Sequence, residues 1–469
     1  MTSFNPWASL TVAAQVSADE QAGAAAIRAL QARRLQRLLR HAVQRSPLYA
    51  RLLAGRSLDG AALRTLPVTR KTQLMDCFNE WVTDRRVTLE RLRRFIADPA
   101  NIGRPYLGRY TIWESSGSSG EPGIFVQDPH AMAVYDALEA LRRPSLRPLQ
   151  RWMDPLWLGE RIVFVGAVDG HFASTVAMER LRSLNLLLSP RLHSLSFLQP
   201  MPQLVEALNA LQPTILTTYP SAAVLLGREA AAGRLRVPVR EIWTGGEDFS
   251  DAMRRVVEQA FGCQVVNSYG ASEFLALAFE CPHGRLHLNS DWAILEPVDD
   301  RGQPVPAGET GDTTLLTNLA NQVQPLIRYD LRDRVRLHPE RCGCGSSLPV
   351  LEVQGRSDDT LLLGARPGHA VAVLPLAIST VLESDAGLFD FQLVQEGPTR
   401  LLLRTGLRGR AADAALQRGR RALGSYLHRL GLDEVRIRCS RTPGIPLEHS
   451  CKARRIIAST SPCAVHSVH

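Results

Sequence analysis

Lysine is almost missing from this sequence. Lys71 and Lys452 are its only lysines, so 53 of the 55 basic residues (55 − 2) are arginine. A GC-biased coding background would produce such a replacement, because arginine serves as well as lysine on a solvated surface. A lysine that survives is a candidate for a role that needs a compact ammonium rather than a planar guanidinium. Lys71 stands at the head of a predicted helix after Pro67, and for it we expect no special role.

Long apolar runs are missing as well. No stretch of about 18 uncharged apolar residues occurs, and no basic region followed by a hydrophobic core is found at the N-terminus. The sequence therefore predicts neither a membrane span nor a signal peptide, and we expect a cytoplasmic protein. Its 469 residues are enough for two or three domains with a sizeable core.

Aromatic residues are few, at 6%, and they do not alternate with the basic ones as on a nucleic-acid surface. The net charge of +9 comes from arginines scattered along predicted helices, which is typical of solvated helix faces. A zinc-dependent nucleic-acid-binding protein, suggested by this charge and a Cys-Gly-Cys sequence, is therefore the less favoured alternative. A mildly positive protein also suits phosphate-bearing substrates.

Residues 113–123 alternate hydroxyls and glycines with almost no bulk, and they are the main candidate for an anion site. The candidate phosphate-binding residues are Ser115, Ser116, Gly117, Ser118, Ser119 and Gly120. Glycine permits the positive φ that makes successive N–H groups converge on a phosphate. The apolar and aromatic flanks, 106–113 and 124–126, predict a hairpin-like turn. No Gly-Lys-Ser/Thr follows, which excludes a Walker loop, and a flexible Ser/Gly linker is the alternative.

The eight cysteines include a candidate metal site. A Cys-x5-His pair at 281 and 287, followed by Cys-Gly-Cys at 342–344, matches a structural zinc site with three thiolates and one imidazole. His283 competes with His287 as the fourth ligand. The alternative is a pair of buried thiols with a histidine on the surface.

The order of predicted elements favours an α/β fold. Residues 17–55 predict one or two amphipathic helices, and from about 105 to 355 short apolar strands alternate with helices. This alternation predicts a layered core with a partly parallel sheet, which binds ligands at the carboxyl ends of its strands. After residue 356 a β-α-β-α-β run of about a hundred residues predicts a small second domain. We therefore expect domains at 1–356 and 357–469, with a hinge near Asp358.

Further segments follow the loop in a fixed order. They are Thr-Gly-Gly-Glu at 244–247, Asn-Ser-Tyr-Gly-Ala-Ser-Glu at 267–273, Leu-Ile-Arg-Tyr-Asp-Leu-Arg-Asp at 326–333, Gly-Arg-Ser-Asp-Asp at 355–359 and Cys-Lys-Ala-Arg-Arg at 451–455. In this order and at these distances they resemble the motifs of the adenylate-forming superfamily of acyl-CoA synthetases, adenylation domains and luciferases. Residues 35–49 and Glu-Cys at 280–281 are similar to the phenylacetate-CoA ligase branch. The resemblance spans nearly the whole chain.

The resemblance implies a large multi-sheet adenylation domain, a small mobile α+β C-terminal domain, and ATP-dependent activation of a carboxylic acid followed by transfer to CoA. Besides the loop, the implied ATP-binding residues are Gly246, Glu247, Ser268, Tyr269, Gly270, Asp333 and Arg356. Tyr269 would stack on adenine, and Asp333 would bind the ribose hydroxyls with Arg356 nearby. Glu273 would ligate Mg²⁺, which prefers oxygen ligands. Lys452 would reach across the domain interface to the reacting carboxylate and α-phosphate.

Members of the branch often carry a structural zinc site. The segment 284–287 resembles the Gly-Leu-His of that branch, so His287 is preferred to His283 as a ligand. The expected zinc ligands are Cys281, His287, Cys342 and Cys344.

Three positions depart from the family pattern. Glu121 stands where many superfamily loops have lysine, and Cys451 stands before Lys452 where glycine is usual. Residues 364–369 do not match the Arg-Gly-Val-Asn of the branch near where CoA would approach. The alternative acceptor is therefore an amino acid or amine, as in amide synthetases of the coronafacate-ligase type. The low aromatic content and a Val/Ala/Leu-rich neighbourhood suggest an apolar or aromatic acid, and the sequence predicts no oligomeric state.

Overall fold

The computed structural model describes residues 6–58, 60–115, 122–144, 146–154, 157–168, 170–247, 249–354, 360–364, 370–388, 391–405, 407, 409–441 and 456–458. The chain divides into two compact units. The first comprises residues 1–115, 123–195 and 208–355, and the second comprises 116–122, 196–207 and 356–469. The predicted domain boundary after residue 356, with its hinge, stays a prediction.

Helices dominate the first hundred residues and alternate with strands later. Before residue 356 they are α1 (Pro6–Glu20), α2 (Ala24–Arg45), α3 (Pro47–Leu52), α4 (Lys71–Asp76), α5 (Phe78–Trp81), α6 (Leu89–Ile96), α7 (Pro129–Arg142), α8 (Pro148–Met153), α9 (Ala173–Leu184), α10 (Met201–Leu211), α11 (Pro220–Ala231) and α12 (Asp251–Phe261). Short 3₁₀ turns lie at Gly60–Thr65, Pro99–Asn101 and Ser189–Arg191.

The helical region predicted over 17–55 is divided differently from expectation. Helix α1 ends at Glu20, α2 covers the middle, and α3 is a separate short helix. The break between α2 and α3 has a local cause, because Pro47 cannot continue a helix but suits a first turn. The Ser46 hydroxyl accepts a hydrogen bond from the Tyr49 N–H and so caps α3.

The strands of the first unit form a large mixed sheet and two smaller sheets. They are β1 (Thr111–Glu114), β2 (Ile124–Gln127), β3 (Ile162–Gly166), β4 (Leu192–Ser196), β5 (Ile215–Thr218), β6 (Glu241–Gly245), β7 (Gln264–Ala271), β8 (Phe274–Glu280), β9 (Leu286–Leu288), β10 (Ala293–Val298), β11 (Thr313–Asn318), β12 (Tyr329–Asp330), β13 (Arg334–Leu337) and β14 (Val350–Gln354). The nine-stranded sheet has the order β13-β14-β9-β8-β7-β6-β5-β3-β4, beside a β10-β11-β12 sheet and a β1-β2 hairpin.

The predicted α/β class with a partly parallel sheet is confirmed. Strands β3, β5, β6 and β7 are parallel, and β3 is buried along its whole length. Such strands need cover on both faces, and α9, α11 and α12 pack on β3, β6 and β7, respectively. The sheet then continues with antiparallel β8, β9, β14 and β13, an extension that the sequence pattern did not predict.

The second unit is a small α+β assembly. Its elements are β15 (Leu361–Leu363), β16 (Val371–Val373), α13 (Pro375–Thr380), a π turn at Val381–Asp385, β17 (Gln392–Gly397), β18 (Arg400–Arg404), α14 (Gly409–Arg429), β19 (Arg436–Ser440) and β20 (Ile456–Ile457). Helix α14 packs on the sheet β19-β18-β17-β20. The β-α-β-α-β prediction missed three strands. Strands β16 and β18 pair as hairpins with β15 and β17, and β20 pairs in parallel with β17. Among the described residues, no helix is long and apolar enough to cross a membrane.

Candidate functional site

The candidate phosphate-binding loop is closed at its base by Ser115 and Gly123, which together are called the loop neck. Strands β1 and β2 pair antiparallel up to Glu114 and Ile124. The Ser115 N–H donates to the Gly123 carbonyl at 2.8 Å, and the Gly123 N–H donates to Ser115 Oγ at 2.9 Å. The predicted hairpin-like turn is therefore confirmed at its base. The other predicted loop residues, Ser116, Gly117, Ser118, Ser119 and Gly120, lie outside the described residues.

Glu273 lies close to the strand that leads into this loop. The Trp113 indole N–H, in β1, donates to the Ser272 carbonyl at 2.7 Å. The half-buried Glu273 carboxylate accepts a 2.8 Å hydrogen bond from the Tyr329 hydroxyl, and Asn318 donates to the Glu273 carbonyl at 2.9 Å. Burial raises the pKa of Glu273, while the Tyr329 hydrogen bond and the positive charge of Lys71 lower it in part. A carboxylate partly removed from water in this way is stabilised by a nearby cation.

The predicted adenine-binding and ribose-binding residues contact each other. The Tyr269 hydroxyl, near the end of β7, donates to Asp333 Oδ2 at 2.8 Å. Burial, followed by the negative charge of Asp333, raises the pKa of Tyr269 well above its usual value, so the hydroxyl stays protonated and remains a donor. This hydrogen bond fixes the orientation of both side chains in the structure.

Gly270 has a structural reason to be glycine. A Cβ at this position would lie 2.0 Å from the Leu275 carbonyl oxygen across the β7–β8 hairpin, where the register shifts between Tyr269 and Ala271. The backbone of β8 can approach β7 only because this side chain is absent. Gly270 therefore supports the placement of Tyr269, whatever it contacts in a ligand.

The Thr-Gly-Gly-Glu segment lies at the carboxyl end of β6, as expected. Gly245 pairs with Ser268 on β7, and the Ser268 hydroxyl donates to the Thr244 carbonyl at 3.2 Å. Gly246 has φ +81°, a left-handed conformation that favours glycine. The Glu247 carboxylate accepts a 2.9 Å hydrogen bond from the Ser221 N–H in the first turn of α11. That contact gives Glu247 a helix-capping role besides the ATP-binding role predicted for it.

The four candidate zinc ligands form a cluster. The ligand atoms of Cys281, His287, Cys342 and Cys344 all lie within 4.8 Å of one another. Cys281 Sγ lies 3.8 Å from Cys342 Sγ, and Cys344 Sγ lies 3.4 Å from His287 Nε2. The cluster joins the turn after β8 to the loop between β13 and β14. His283 is not among these residues, although its ring lies beside Gly343.

His287 is held in the form that binds a metal. Its Nδ1 lies 2.9 Å from the Leu348 carbonyl oxygen, which accepts a hydrogen bond when Nδ1 carries the proton. The other ring nitrogen, Nε2, then presents a lone pair to the three thiols. Burial lowers the pKa of His287, so the imidazole stays neutral. The ring also stacks on Phe279 with a centroid distance of 5.7 Å.

Lys71 lies nearer to the site than the sequence suggested. It is the first residue of α4, and its charge acts on Glu273. The scarcity of lysine in this arginine-rich chain is the signal that could have identified Lys71, for which the sequence predicted no special role. Arg356, the hinge at Asp358 and Lys452 lie outside the described residues, so their predicted roles stay predictions.

Comparison with known proteins yields consistent matches. A family profile described as AMP-binding enzyme matches residues 190–315. The phenylacetate-coenzyme A ligase of Thermus thermophilus is 26% identical over 373 residues, which cover 76% of this chain and 75% of that protein. The phenylacetate-coenzyme A ligase of Escherichia coli is 28% identical over 366 residues, covering 73% and 74%, respectively.

Among solved structures, a 2-hydroxyisobutyryl-CoA ligase in complex with 2-HIB-AMP and CoA is 21% identical, with a TM-score of 0.56. The match covers 94% of this chain and 91% of that one. At this identity the likeness is one of fold.

Proposed function

We propose that this chain activates a carboxylic acid with ATP and transfers the acyl group to CoA. Its match to the AMP-binding enzyme profile and its similarity to two phenylacetate-coenzyme A ligases support this proposal. The observation that carries the proposal is the placement of three groups in one unit. They are the closed loop neck at Ser115, the Tyr329–Glu273 pair, and the Tyr269–Asp333 pair. Together they would supply contacts to the phosphates, the magnesium ion, the adenine and the ribose of a bound nucleoside triphosphate.

Formation of an acyl-adenylate brings two anions together, because the substrate carboxylate attacks the α-phosphate of ATP. The site must hold both in line and balance their charge. Backbone N–H groups and serine hydroxyls of residues 115–120 would hold the β- and γ-phosphates. Tyr269 would present its ring to adenine, while Asp333 would accept hydrogen bonds from the ribose hydroxyls. Because the Tyr269 hydroxyl holds Asp333, both contacts are oriented before ATP binds.

The residues present fit a magnesium ion at Glu273. Its carboxylate is half-buried beside the loop strand, and burial raises its pKa, so a cation there would stabilise the ionised form. When bound, magnesium would neutralise charge on the phosphates. Tyr329 would fix the orientation of the carboxylate through its hydrogen bond to Oε1.

The C-terminal domain completes the proposal. Residues 357–469 would rotate about a hinge near Asp358 between adenylation and thioester formation. Lys452 would contact the carboxylate and the α-phosphate during adenylation, and Arg356 would support the ribose. Because residues 364–369 depart from the branch near where CoA would approach, the alternative acceptor is an amino acid or amine.

The proposal is tested by acid-dependent pyrophosphate release across a panel of aromatic and apolar acids, with CoA, with amino acids, or with neither. We expect release that requires the acid, AMP as a product, and a thioester when CoA is present. An amide without any thioester would replace CoA by the alternative acceptor and leave the adenylation step intact. Absence of acid-dependent release with every acid would contradict adenylation itself.

We also propose that the Cys/His cluster binds one structural zinc ion. Bond lengths of about 2.3 Å to sulfur and 2.0–2.1 Å to nitrogen place tetrahedral ligands about 3.8 Å (S to S) and 3.6 Å (S to N) apart. The observed distances of 3.8 and 3.4 Å fit this geometry. Four protein ligands leave no position for a reactive water, so the metal would brace the loops near Asp333. Metal analysis of protein purified without added zinc tests the proposal, with one equivalent expected.

A further inference from the structure

The phosphate-binding loop of this chain lacks a cation that its relatives often have. Glu121 stands where many superfamily loops have lysine, and the chain has only two lysines in all. Lys452 is already assigned to the reacting carboxylate and α-phosphate. The remaining lysine, Lys71, lies on a different element but in the same unit as the loop neck.

The backbone brings Lys71 alongside Glu273. Thr69 pairs in parallel with Tyr329, because its N–H donates to the Arg328 carbonyl at 3.0 Å and its carbonyl accepts from the Asp330 N–H at 2.9 Å. Tyr329 in turn donates to Glu273. Helix α4 then begins at Lys71, two residues after Thr69. The pairing of Thr69 with Tyr329 therefore fixes the backbone position of Lys71.

The side chain itself runs past the neck of the loop. A Cβ added at Gly123 would lie 3.1 Å from Lys71 Cδ, so the aliphatic stem passes directly beside Gly123. Gly123 closes the loop through both hydrogen bonds with Ser115. The Lys71 charge also reaches Glu273, whose pKa it lowers. The Lys71 side chain thus lies beside the neck of the loop, and its charge acts on the proposed magnesium ligand.

We propose that Lys71 binds the β- and γ-phosphates of ATP, and the pyrophosphate that leaves, in place of the lysine that the loop lacks. This inference rests on the proposed function, because it requires ATP as the substrate. A flexible stem with a compact ammonium suits phosphate oxygens that change position as pyrophosphate departs. A charge-assisted contact to these phosphates acts on ATP and pyrophosphate, whereas AMP lacks the groups concerned.

A purely structural role for Lys71, as an ion pair for Glu273, predicts a different outcome. Its loss would then disturb the carboxylate and the fold, and would affect ATP and AMP alike. The comparison of the two nucleotides therefore separates phosphate binding from structural support.

The test uses the full chain with Lys71→Met and Lys71→Gln, and binding of ATP with magnesium and of AMP is measured by calorimetry. Arg70→Met is the matched control, because it removes the same charge from the neighbouring residue. The Arg70 side chain is 63% exposed, and its Nε lies 3.9 Å from Asp330 Oδ2. We expect ATP affinity to fall about 10- to 100-fold in both Lys71 variants. AMP affinity should change less than about twofold, and the control should bind both nucleotides as the parental protein does. In pyrophosphate exchange, the KM for pyrophosphate should rise while the KM for the acid stays unchanged.

Parental affinity for ATP in the Lys71 variants, or an equal loss for ATP and AMP, would overturn the assignment. Failure of both Lys71 variants to fold while Arg70→Met folds would make Lys71 a structural residue and would overturn it as well. If the parental protein binds no ATP, the proposed function fails, and the role of Lys71 fails with it. Absence of ATP binding by the parental protein thus refutes the proposed function. Normal ATP binding by the parental protein together with unaffected Lys71 variants refutes only the role of Lys71.

Discussion

Replacement of Cys344 by serine should release zinc and weaken the fold around the cluster. Cys344 is the most exposed of the four candidate ligands, so the substitution causes little steric change. A serine hydroxyl stays protonated near neutral pH and is a poor zinc ligand. Structural zinc sites contribute about 10–16 kcal/mol. Shared evenly by four ligands, the loss is roughly 3 kcal/mol, or about a hundredfold in zinc affinity.

The structure indicates which part of the fold the loss of zinc would destabilise. The cluster connects the turn after β8 with the loop between β13 and β14, and these strands form one edge of the nine-stranded sheet. Asp333 immediately precedes β13, so loosening this edge also loosens the partner of Tyr269. We therefore expect Cys344→Ser to lower the melting temperature by several degrees and to weaken ATP binding.

The assay combines zinc content by mass spectrometry with thermal unfolding, before and after treatment with a strong chelator. Cys439→Ser is the control, because Cys439 is exposed on β19 of the second unit and does not belong to the cluster. It should keep one zinc and the parental melting temperature. Clearly substoichiometric zinc in fully active parental protein would refute the reasoning. So would a Cys344→Ser protein that retains zinc and unfolds at the parental temperature.

Further substitutions test the catalytic and structural assignments. Lys452→Ala should slow acid-dependent pyrophosphate exchange by about 10²- to 10³-fold, with much less effect on acyl transfer from a preformed adenylate. Lys452→Arg should restore little of the lost rate. Exchange at the parental rate in Lys452→Ala would contradict this role. Gly270→Ala should destabilise the protein by about 1–3 kcal/mol, because its Cβ would meet the Leu275 carbonyl at 2.0 Å. Gly424→Ala, in α14 with nothing within 4 Å, should instead stabilise it by up to about 1 kcal/mol, and denaturant unfolding compares the two.

Features that depend on neighbouring residues could be predicted from the sequence. The loop after β1 is set by glycine and serine flanked by apolar runs, and the structure has the hairpin there. The parallel strands are short apolar segments alternating with helices, and β3, β5, β6 and β7 follow that pattern. The spacing of Cys281, His287, Cys342 and Cys344 also predicted a zinc site, since only a few ligand arrangements suit this metal.

The contacts that assemble the site were decided by the tertiary structure. Tyr269 and Asp333 are 64 residues apart, and Tyr329 and Glu273 are 56 apart, so no local pattern links either pair. The charge of Lys71 acts on Glu273 because Thr69 pairs with Tyr329, on a strand more than 250 residues further along the chain. Such pairing depends on which apolar surfaces are buried together when the whole chain folds, and a single sequence records the residue types without recording their partners.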